Sequence, residues 1–165
     1  MSTVNEEFSK TLIQSLKGER GHIPINRALS DIDRQLAGES IEGLPYTIYQ
    51  LLGHMSYWQD FFLEFLQGGN RDLPKNAMDT WPQDKSPSSN EEWIKLVEHF
   101  LNGIDKACEI TRKIRLVEPL QNWPTETPVS SLRNIASHNT YHLGEIILIR
   151  RLLGAWPPPG GGYPA

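Results

Sequence analysis

His138 and His142 stand four residues apart in the stretch Ala136-Ser-His-Asn-Thr-Tyr-His-Leu-Gly144. Neutral imidazole is a common ligand for divalent transition metals. A four-residue step along an α-helix is about 400°, so both rings leave the same face and can close on one ion. On a helical wheel His142 falls inside the apolar arc of Ile135, Ile146 and Ile149, and His138 lies at its edge. Two neutral imidazoles on a buried face are costly unless their nitrogens are satisfied, and a metal does this with one bond to each ring. A third ligand has to come from another element. His54, between Leu51 and Trp58 on the inward side of its own apolar stripe, is the candidate. Three histidines leave coordination positions open for water or substrate, the arrangement of a catalytic rather than a closed structural site. Spacing alone also permits core histidines satisfied by protein partners, with one at the solvent edge.

The elements that must position these rings are helical. Thr3-x-x-Glu6 is a capping box for a first helix that Gly18 can close. Residues 26–37 read as a short amphipathic helix. Thr47-x-x-Gln50 opens a second long helix, whose Leu51, Met55, Trp58, Phe62 and Phe65 follow the helical period up to Gly68-Gly69. Residues 70–89 form a long polar loop, of a length that is uncommon in compact domains and often functional. Ser89 caps a third long helix with the stripe Trp93, Leu96, Val97, Phe100, Leu101, Ile104, Ala107 and Cys108. Thr127-Pro128 is an N-cap with Pro at N1, and the helix it starts runs to Gly154. Four long helices and a short extra one predict an all-α, antiparallel four-helix bundle in one domain over residues 1–165. Trp-Pro recurs at Trp81, Trp123 and Trp156, which read as aromatic plugs over the bundle ends or, alternatively, as walls of a pocket.

Composition narrows the function classes. The net charge is −4, and the Lys and Arg residues are scattered, so neither nucleic acid nor an acidic membrane surface is an expected partner. A single cysteine, Cys108, excludes an internal disulfide framework and a Cys-rich zinc site. No apolar run approaches the roughly 20 residues of a membrane span. The start, Met1-Ser-Thr-Val-Asn-Glu-Glu, has no basic or apolar leader region, which makes the cytoplasm the expected location.

The segment Leu51-Leu-Gly-His54-Met-Ser-Tyr-Trp-Gln-Asp60, followed by Ala136-Ser-His138-Asn-Thr-Tyr-His142-Leu-Gly144-Glu-Ile146 and the tail Gly154-Ala-Trp-Pro-Pro158, resembles the DinB-like superfamily of small four-helix bundles. The resemblance spans nearly the whole chain. It implies that His54, His138 and His142 are metal ligands, with zinc or nickel the expected ion, and that the protein is a homodimer acting on a small molecule. Characterised members of that group include transferases and isomerases that use low-molecular-weight thiols. Where the family pattern has H-x-G-Q, this chain has His142-Leu-Gly-Glu145. Glu145 can be a hydrogen-bond acceptor for a ligand, a catalytic general base near the metal, a dimer contact, or a polar edge residue.

Two functional classes follow: a metal-dependent enzyme, such as a thiol-dependent S-transferase or a hydrolase, or a non-catalytic metal-binding or dimerising bundle. Other chemistry-bearing residues are weaker candidates. His22, in the break after the first helix, is either an exposed loop residue or a fourth ligand. His99 lies off its helix's inward stripe. Cys108 on an apolar stripe reads as a buried, inert thiol. Tyr57 and Trp58, one turn beyond His54, are core or pocket wall.

Overall fold

The structure is a computed structural model that describes residues 3–162; Met1, Ser2 and positions 163–165 lie outside it, as do those parts of the leader and domain expectations. Helix α1, Val4–Lys17, starts at the expected reciprocal box, with Thr3 Oγ1 accepting from Glu6 N and the Glu6 carboxylate accepting from Thr3 N. It ends at Gly18, whose φ of +76° lets the cap amide turn back onto the last carbonyls. The short helix expected over 26–37 is divided into α2, Ile25–Ala28, and α3, Arg34–Gly38. Short polar side chains divide it, because they offer the backbone local alternatives to helix. Asp31 takes φ +58°, and Asp33 caps α3 by accepting from Leu36 N at 2.8 Å.

Helices α4 (Ile48–Leu66), α5 (Asn90–Lys113) and α6 (Pro128–Leu152) complete the bundle. Each begins at the predicted hydroxyl cap: Thr47, Ser89 and Thr127. α4 packs on α5 and α6, α1 packs on the same two, and α1 faces α4 across the diagonal. The core is built from Leu16, Leu51, Leu52, Met55, Phe61, Trp93, Phe100, Leu132 and Ile146, all fully or almost fully buried. Among the described residues no helix is long and apolar enough to cross a membrane.

Contacts along the helices give their directions. Tyr49 meets Glu92 near both starts, and Gln59 meets Phe100 further along both, so α4 and α5 run the same way. Asn122, just ahead of α6, bonds the carbonyl of Phe65 at the far end of α4, so α4 and α6 are antiparallel. Ser9 near the start of α1 reaches the Thr111 carbonyl near the end of α5, which makes that pair antiparallel too. A chain leaving α4 must therefore return the length of the helix, about 28 Å at 1.5 Å per residue, before α5 can begin. The long loop over 67–89 exists for this reason. It carries one 3₁₀ turn, Ala77–Thr80, and lies along the N-terminal half of α4.

Candidate metal centre

The loop is fastened to α4 one turn at a time. Thr47 Oγ1 donates to the Lys85 carbonyl at 2.6 Å, and Gln50 Nε2 donates to the Pro82 carbonyl at 3.1 Å. One turn on, Pro82 lies so close over Gly53 that a Cβ there would collide with its ring. That approach delivers Thr80 and Trp81 to the next residue of the helix, His54.

His54 on α4 faces His138 and His142 on α6. One nitrogen from each ring lies within 4.8 Å of the other two, with His54 and His142 buried and His138 half-buried. The Nε2 atoms of His54 and His138 are 3.3 Å apart. Ring centroids are separated by 5.1 Å (His54–His138), 4.9 Å (His54–His142) and 4.5 Å (His138–His142). Such a cluster could hold a metal ion.

The outward nitrogens fix the tautomers. Thr80 Oγ1 donates to the Ala77 carbonyl at 2.7 Å, so toward His54 Nδ1, 2.8 Å away, it acts as an acceptor. The proton of His54 is then on Nδ1, and its Nε2 presents a lone pair to the centre of the cluster. Glu145 Oε2 lies 2.5 Å from His142 Nδ1. A carboxylate only accepts, so His142 likewise carries its proton outside and its lone pair inside. Among the described residues His138 Nδ1 is buried without a hydrogen-bond partner. Burial, and then the nearby His142, push the His54 imidazole down to about 4 against a weaker upward pull from Thr80. Burial, followed by the proximity of His142 and His54, brings His138 to about 4 as well. Both rings are therefore neutral at neutral pH, the form that can ligate a metal.

One wall of the site is aromatic. Trp81 stacks on His54 with centroids 3.8 Å apart and planes 6° apart, and Tyr46 stacks on the other side of Trp81 at 3.7 Å. Tyr141 sets its ring edge to face with His142 at 4.9 Å. Trp81 is thus a wall of the histidine cluster rather than an end plug. Trp123 packs at the far end of α4 on Phe65, at 4.8 Å, and on Phe61 and Phe62. Thr80, Trp81 and Tyr46 were not singled out in the sequence as partners of the histidines. The local signal for Thr80 and Trp81 was the length of the loop and its Trp-Pro pair; Tyr46, just ahead of α4, had none.

The other candidates fall elsewhere. His22 is not part of the cluster: its Nδ1 bonds the Ile23 carbonyl at 2.8 Å and its Nε2 bonds Thr140 Oγ1 at 3.0 Å, tying the α1–α2 break to α6. His99 pairs with Asp60 at 2.8 Å on the surface. Cys108 is buried, and burial pushes its thiol upward, away from nucleophilic character. Tyr57 carries the Arg71 guanidinium over its ring at 4.4 Å, and Trp58 packs on Phe61 in the core.

No family model matches this chain, and no curated protein and no solved structure matches it either. Fold and site together define a helical bundle with a three-histidine cluster suited to a metal ion.

Proposed function

We propose that the cluster is a divalent-metal site of DinB-like type, with His54, His138 and His142 as ligands, in a metal-dependent enzyme acting on a small molecule. The observation that carries this reading is the orientation of the lone pairs. Thr80 and Glu145 hold the protons of two rings on the outside, which leaves their Nε2 lone pairs for the centre of the cluster. The 3.3 Å between the Nε2 atoms of His54 and His138 equals the edge of a tetrahedron with metal–nitrogen bonds of about 2.0–2.1 Å. Neutral imidazoles suit zinc or nickel.

When bound, the ion supplies Lewis acidity that lowers the proton affinity of a thiol or water ligand. The chain's own residues do the rest. Thr80 and Glu145 orient the imidazoles and raise their basicity as ligands. Trp81 and Tyr46 cover one flank and keep bulk water from it. Glu145 bonds His142 through one oxygen and its side chain is 43% exposed, so its second oxygen is placed to take a proton at the mouth of the site. S-transfer from a low-molecular-weight thiol and hydrolysis both fit this arrangement. The second reading, a closed non-catalytic site, is favoured by the burial of His54 under Trp81.

The ligand assignment is tested by His54→Ala. Elemental analysis after dialysis is expected to find about one ion per chain in the wild type and a trace in the variant, with unchanged far-UV circular dichroism. Equal metal content in both sinks the assignment. In cobalt-substituted protein a visible spectrum that shifts on adding a small thiol supports the open enzyme site, and an unresponsive one supports the closed alternative.

A further inference from the structure

A cleft of about 640 Å³ opens between the second half of α1, the break that follows it, and α6 from Arg133 to Tyr141. Its size is that of a small-molecule site. The floor is apolar, built from the buried Leu12 and Ala136, and the exposed Tyr141 ring stands at one end. The walls are fixed before anything binds. His22 Nδ1 bonds the Ile23 carbonyl and so donates, which leaves Nε2 of the neutral ring to accept from Thr140 Oγ1 at 3.0 Å. Gly18 makes room for that ring, since a Cβ there would collide with it. Ser15 Oγ donates to the Thr11 carbonyl at 3.0 Å, and Ser137 Oγ donates to the Arg133 carbonyl at 3.0 Å. These three hydroxyl protons are committed, so recognition of a charge falls to the arginines. Arg133 donates to Asn134 Oδ1 at 2.9 Å. Arg20 differs. Its φ is +70°, a left-handed conformation that is costly for a residue with a Cβ. Among the described residues its guanidinium has no ion pair, hydrogen bond or ring contact to offset that cost. Backbone strain of this kind concentrates at binding sites. Glu19 is the one acid on the lining among the described residues, so one positive charge is in excess there, on a chain whose net charge is −4.

We propose that this cleft binds a small organic monocarboxylate with an apolar body, its carboxylate paired with the Arg20 guanidinium and its body laid on Leu12 and Ala136 beside the Tyr141 ring. A guanidinium matches a carboxylate with two parallel N–H···O bonds. One charge in excess suits a monoanion. The apolar floor favours a body that gains by leaving water. The inference stands apart from the metal reading, because the cleft lies between α6 and α1, whereas the histidine cluster lies between α6 and α4.

The test is a titration of the full chain with hexanoate, followed by amide chemical shifts. Hexan-1-ol serves as the uncharged analogue, and the titration is repeated in excess chelator. Saturable shifts are expected along residues 11–22 and 133–141, unchanged by the chelator. Hexan-1-ol is expected to bind at least about tenfold more weakly, the loss that accompanies one charged hydrogen-bonded pair. Arg20→Gly is expected to lose a similar factor while melting no lower than the wild type, because glycine adopts φ +70° without strain. Ser15→Trp, at an exposed position on α1, fills the cleft and keeps both arginines; it is expected to abolish the shifts. Failure of hexanoate to saturate overturns the proposal, as does equal binding of hexan-1-ol. So does either variant binding like the wild type. Shifts that vanish in chelator also overturn it, because they place the carboxylate on a metal ion instead of on Arg20.

Discussion

Thr80 has one proton and gives it to the carbonyl of Ala77, which is why it must accept from His54. The consequence for binding is direct. Thr80→Val keeps the shape of the side chain and removes the acceptor, leaving His54 Nδ1 without its outer partner. Loss of such a partner typically lowers metal affinity about 10–100-fold. Titration against a chromophoric chelator is expected to show that loss in Thr80→Val and near wild-type affinity in Thr80→Ser. A valine variant that binds as tightly as the wild type removes Thr80 from the site. The histidines themselves were legible in the sequence because the i, i+4 step and the apolar stripe around His54 are local patterns. Glu145 was legible for the same reason, three residues from His142 on one helix. Thr80 and Trp81 were not, since a loop residue's position over a distant helix is fixed by tertiary contacts that no short window contains.

At the scale of elements, the ends of the long helices were the most legible features, because a hydroxyl cap and the apolar period are written in adjacent residues. The region 26–37 has the pattern of one helix and forms two. Its apolar residues keep the period, but Ser30 and Asp33 bond locally and Asp31 takes a positive φ, and together they divide it. The long loop was recognised, and its cause was not: two parallel neighbours need a return path. Gly53 shows how tightly that path is held. Alanine is intrinsically a better helix former, so Gly53→Ala would stabilise an isolated α4. In the protein its Cβ collides with Pro82, and overpacking of this kind costs about 1–3 kcal/mol. The variant is expected to melt at lower temperature and, because Pro82 follows Thr80 and Trp81, to bind metal more weakly. Equal or higher stability would mean that the loop is free to lift from α4 without consequence.

Across the whole molecule, one buried chain of amides sets how α6 is turned against its neighbours. Asn139 Nδ2 donates to Gln59 Oε1 at 3.0 Å, and Gln59 Nε2 donates to the Phe100 carbonyl at 2.9 Å, linking α6, α4 and α5. Both side chains are almost fully buried, and Gln59 runs so close to Gly103 that only a glycine leaves room for it. Asn139 follows His138 directly, so a rotation that broke the link would also swing His138 and His142 away from His54. Asn139→Leu leaves Gln59 Oε1 buried without a donor, at a cost of about 1–3 kcal/mol. At roughly 2–4 °C per kcal/mol for a chain of this size, the melting point falls measurably. Replacing both partners, in Gln59→Leu/Asn139→Leu, removes the orphaned acceptor and is expected to restore most of the stability. Metal affinity is expected to stay below wild type in that double variant, because leucines pack without specifying an angle. Recovery of full affinity together with stability would assign the amides to packing alone and leave the histidines aligned by the core around them.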